Sequence, residues 1–116
     1  MIFKPASNLT KEEKTFFIEK VGVYTRLLEL HAKSKGESFA IDANIDKNSM
    51  GELMNIGVVS DDQDIEALKS VLGRDKFNNF IYAVNYFLHH KKETEPIVFR
   101  LRNKSRKALQ NASDHK

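Results

Sequence analysis

The sequence predicts a mostly α domain with a minor β component. Apolar residues recur at helical spacing in several separate stretches, Gly and Pro punctuate them, and only two short runs alternate as strands do. At 116 residues, with 41% hydrophobic and 30% charged residues, the chain reads as a single domain (1–116) able to close one core without staples. Residues 1–8 read as a lead-in and residues 112–116 as a frayed tail.

Thr10-Lys11-Glu12-Glu13 has the form of a capping box, in which the Thr hydroxyl accepts from the Glu13 amide and the Glu reaches back. From there to about Lys35, Phe17, Val21, Tyr24, Leu28 and His31 recur at helical spacing, with Phe16, Val23, Leu27 and Leu30 widening the stripe. Gly36 supplies a left-handed stop, and Lys33 and Lys35 suit the negative end of the helix. Core packing accounts for such a stripe. If the protein forms a homodimer, the 11–35 helix is the candidate interface, and His31 reads as a core or rim residue.

Residues 37–45 alternate around Phe39, Ile41 and Ile45 and predict a short strand. Asp46-Lys47-Asn48 has turn chemistry, and Ser49 to Glu52 offers a second capping box into a brief helix carrying Met50, Leu53 and Met54. Ser60 to Gln63 offers a third, opening a helix with Ile65, Leu68, Val71 and Leu72. Asp61, Asp62 and Asp64 lack the Gly and Glu that a calcium loop would need. Gly73 ends that helix and Asp75 is positioned to cap the next, from about Lys76 to His89, giving the sharp corner of a helix-turn-helix. Pro96 discourages helix at Glu95. Ile97, Phe99 and Leu101 then alternate with Val98, Arg100 and Arg102, which predicts a strand with one apolar face and one largely basic face. Asn103 caps a terminal helix holding Ala108, Leu109 and Ala112.

The helix from Lys76 to His89 sets Phe77, Phe80, Ile81, Val84, Phe87 and Leu88 on one face, and Asn78, Asn79, Tyr82, Asn85, Tyr86 and His89 on the other. A solvated face usually carries Lys and Glu, so this face reads as a contact surface. Charge is segregated too: residues 74–116 hold 10 Lys/Arg against 4 Asp/Glu, within a chain of net charge +3. Asn matches the donor and acceptor edge of adenine, and Lys91, Lys92, Arg100, Arg102, Lys104 and Arg106 suit phosphates. Duplex DNA is therefore one expected partner. A second protein is the other, because Tyr-rich, charge-poor patches also mark protein interfaces.

The order from Ile65 to Gly73, Phe77 to His89 and Ile97 to Leu109 resembles the C-terminal part of winged helix-turn-helix DNA-binding proteins, over residues 64–110. Lys69 stands where that pattern carries a small residue, and Phe80 and Ile81 are offset from its apolar positions. The resemblance implies that the 76–89 helix reads bases, that the following hairpin is a wing on the phosphates, and that the protein regulates transcription. A small protein-binding regulator or inhibitor of the immunity, anti-activator or phage or plasmid accessory type, using the same Asn/Tyr/His face, is the alternative.

No enzyme, cofactor or metal site is expected. The chain has no Cys and no HExxH or phosphate-loop motif, and the adjacent rings of His89 and His90 diverge by about 100° on a helix. The N-terminus lacks a signal-peptide run and no stretch reaches membrane-spanning length, which with the absence of Cys fits a cytoplasmic protein.

Overall fold

The computed structural model describes residues 3–40 and 42–101. A short 3-10 turn, Ala6–Asn8, leads into α1 (Lys11–Ser34), α2 (Lys47–Ile56), α3 (Asp64–Leu72) and α4 (Arg74–His89). Residues 91–101 are helical as well, and are α5 below. The mostly α class stands; among the described residues there is no strand.

α4 is the axis of the core. Phe77, Phe80, Ile81, Ala83, Val84, Asn85, Tyr86 and Phe87 are all buried, because α1, α2 and α3 each pack against it. α1 and α4 run in the same direction: Tyr24 meets Phe80 edge to face at 5.5 Å, and one to two turns on His31 meets Tyr86 at 6.1 Å. The lead-in is tied to this core. Phe3 and Ala6 are buried, and their amides donate to the carbonyls of Ile56 and Val58 at 2.8 and 2.9 Å.

The Thr10–Glu13 capping box forms in both directions, at 3.2 and 2.9 Å. Gly36 takes the left-handed conformation, with φ 66°, just past the end of α1. The other expected caps differ. α2 begins at Lys47, capped by Asp46, and Ser49 lies buried in its first turn rather than capping it. In place of the box at Ser60, the Ser60 amide and hydroxyl donate to Asp64 Oδ2 at 2.6 and 2.5 Å. Gly73 alone joins α3 to α4, with φ 82°, and Asp75 lies inside the first turn of α4, near its positive end.

Both expected strands are corrected. Residues 37–40 and 42–46 are irregular. A lone strand would leave its ladder groups without partners. Here the Asn85 side chain takes two of those carbonyls, Asp42 and Asn44, at 2.9 Å each. The expected strand at 97–102 is α5 as far as residue 101. A period near 3.6 organises it: Thr94 and Val98 are buried and Ile97 and Leu101 half-buried, while Phe99 and Arg100 point outward. Pro96 is accommodated on the exposed side of α5. The wing hairpin is therefore absent among the described residues. Arg102, Lys104, Arg106 and the terminal helix expected after Asn103 lie outside them.

The Ser60 contacts, with a further one from the Ser7 hydroxyl, hold the Asp64 carboxyl at about 2, below its ordinary 3.8. A lowered folded value means that the contribution is complete above about pH 4 and is lost as pH falls through about 2. Asp64→Asn is therefore expected to be less stable than wild type at neutral pH, with the gap closing in acid. Urea unfolding at neutral pH and near pH 2 checks this; a gap independent of pH would remove the carboxylate from the account.

Candidate functional site

The residues that carry chemistry gather at the carboxyl end of α4, where four segments meet. α1 delivers His31, the irregular segment after it delivers Glu37 and Phe39, α4 delivers Tyr82, Asn85, Tyr86, His89 and His90 at its cap, and α5 delivers Glu93. A cleft of about 310 Å³ opens there, lined by Phe39, Asp42, Tyr82, Asn85, Tyr86, His89 and His90.

Asn85 is the pin of this region. Its amide nitrogen donates to the Asp42 and Asn44 carbonyls, and its oxygen accepts from the Ser49 hydroxyl at 2.5 Å. Asp46 completes the arrangement by accepting from the Ser49 amide at 2.9 Å, and this hydrogen bond is the main cause of its lowered pKa. One buried amide thus fixes the loop to α4 and, through Ser49, to α2.

Tyr86 organises the outer layer. Its ring is buried, tilts against Phe39 at 6.1 Å and stacks on the His90 ring at 4.3 Å. Its hydroxyl donates to Glu37 Oε2 at 3.2 Å. Burial, then the Glu37 and Glu93 carboxylates, push the phenol up to about 12, so it remains a hydrogen-bond donor throughout the physiological range. Around it His90 Nε2 lies 3.2 Å from Glu37 Oε2, and His31 Nε2 lies 3.3 Å from Glu93 Oε2.

The expected contact face is accordingly split. Asn85 and Tyr86 face inward and are satisfied within the chain, Asn78 and Tyr82 are half-buried, and Asn79 and His89 are exposed. Lys91, Lys92 and Arg100 are exposed on α5 and do not form a wing with α4. Four residues not expected in a site, His31, Glu37, His90 and Glu93, are brought together. The His90-x-x-Glu93 spacing carried a signal in the sequence; the approach of His31 and Glu37 depends on α1 packing along α4.

A second surface lies on α1. The single broad stripe expected there is two rows. Phe17, Val21, Tyr24, Leu28 and Ala32 enter the core, whereas Phe16, Val23, Leu27 and Leu30 are 56%, 46%, 36% and 45% exposed. At about 100° per residue the second row lies about 120° around the helix from the first, at heptad spacing.

Compared with protein-family models, curated proteins and solved structures, the chain matches none. No described helix is long and apolar enough to cross a membrane.

Proposed function

We propose that this chain is a small helical protein-binding regulator that docks through the outer face of α1, with a second copy of itself as the first partner. The exposed row of Phe16, Val23, Leu27 and Leu30 carries this reading. A row of large apolar side chains at heptad spacing is the seam of a helix pair, and outside a partner it would face water. The flank of the row supports self-pairing. Glu12 and Glu19 precede Arg26 and Lys33 along one edge of the same helix. An antiparallel second copy, related by a two-fold axis near Gly22 and Val23, sets the acidic half of each edge against the basic half of the other. Lys20 sits within the row and lays its ammonium over the Phe16 ring at 4.7 Å, and partial burial there lowers its pKa.

Sedimentation equilibrium tests this. The full chain is expected to be a dimer at micromolar concentration, and Val23→Glu with Leu27→Glu a monomer. Both positions are exposed, so the helical circular dichroism and the melting of the monomeric core should survive. A wild-type monomer at all concentrations, or a double variant that still dimerises, would overturn the reading.

Nucleic-acid binding is the second reading. Its remaining support is the segregation of charge, with Lys91, Lys92 and Arg100 exposed on α5. Such binding would be carried by phosphates and would weaken steeply with salt. Absence of any shift of duplex DNA at low salt would end it.

A further inference from the structure

We propose that His31, Glu37, His90 and Glu93 form a binding site for a divalent metal of the zinc class. The ring nitrogen of His90 and one carboxylate oxygen each from Glu37 and Glu93 all lie within 4.8 Å of one another. His31 extends the group through its 3.3 Å approach to Glu93, and His90 lies 3.2 Å from Glu37. Zinc holds nitrogen and carboxylate oxygen at about 2.0–2.2 Å in a tetrahedron. Neighbouring ligand atoms in that shell are then separated by roughly 3.3–3.6 Å, close to the 3.2 and 3.3 Å of the two His–Glu contacts. Closing the remaining gap requires movement only of side chains that are partly or fully exposed.

Two further features favour a metal over two independent ion pairs. Two imidazoles with two carboxylates form a mixed donor set suited to zinc and its neighbours, whereas calcium takes six to eight oxygens. The two carboxylates also match the charge of a divalent ion bound with neutral imidazoles. Tyr86 supplies the outer shell, stacking on His90 and donating to Glu37 Oε2, so it orients one ligand of each type. The ion would join the ends of α1 and α4 to the loop and to α5. This site is independent of the α1 docking face.

Titration of the chelator-treated full chain with zinc, and separately with cobalt, provides the test. One equivalent should bind, cobalt should give the intense visible absorption of a four-coordinate ion, and zinc should raise the melting temperature. Glu37→Gln, His90→Asn, His31→Asn and Glu93→Gln are each expected to weaken binding by more than about tenfold. Tyr86→Phe is expected to weaken it by roughly tenfold, through the outer shell. His89→Asn, one residue from a ligand but outside the group, should change nothing. Circular dichroism without metal checks that each variant is folded. The proposal is overturned if wild type takes up neither ion, if Glu37→Gln and His90→Asn bind like wild type, or if His89→Asn weakens binding as much as they do. It is equally overturned if the ligand variants alter metal-free stability while zinc leaves every protein unchanged, because the contacts are then ion pairs alone.

Discussion

Phe80→Ala is expected to cost about 3–5 kcal/mol and to lower the melting temperature by about 10–20 °C. Phe80 has no exposed surface and meets two rings edge to face, Tyr24 at 5.5 Å and Phe3 at 6.5 Å. It therefore joins α4 to α1 and to the lead-in at one point. Truncation removes the transferred surface and leaves a cavity whose walls come from three segments, so no single shift can close it. Against a total stability of about 5–15 kcal/mol for a domain of this kind, that is a large fraction lost at one position. Urea unfolding measures the loss. A cost below about 1.5 kcal/mol would mean that the lead-in or α1 collapses into the space. Phe99→Ala, at a position 60% exposed, is the contrast and should stay within about 0.5 kcal/mol of wild type.

The helices were legible because their signals are local. The Thr10–Glu13 box, Gly36 after α1, Gly73 before α4 and the inward row from Phe77 to Phe87 all act within a few residues. The two misread strands share one physical cause. Ile97-Val98-Phe99 is a short apolar run compatible with period 2 or period 3.6, and only burial of Val98 together with Thr94 decides between them. Phe39 and Ile45 likewise alternate, but no second strand exists among the described residues to pair with them. The site was less legible for a related reason. His31 and Glu93 are separated by 62 residues, and their meeting follows from helix packing that no local pattern states.

Asn85 shows where a sequence reading of polar faces fails, and its replacement has the second large expected effect. On the helix it lies in line with Asn78, Tyr82 and His89, and its chemistry suits an external partner as well as an internal one. In the fold its partners are Asp42, Asn44 and Ser49, and its side chain is buried. Asn85→Ala removes three hydrogen bonds, each worth about 0.5–1.5 kcal/mol, so a loss of about 2–4 kcal/mol is expected. Leucine would be no rescue, because the loop carbonyls would then face a bulky apolar group with no donor. Amide exchange should locate the damage in residues 42–46 and the first turn of α2, where Asp46 and Ser49 lose their common support. A surface-reading Asn85 would behave differently: stability would stay within about 0.5 kcal/mol and only partner binding would fall. Denaturation of this single variant therefore separates a residue that holds the fold together from one that contacts a partner.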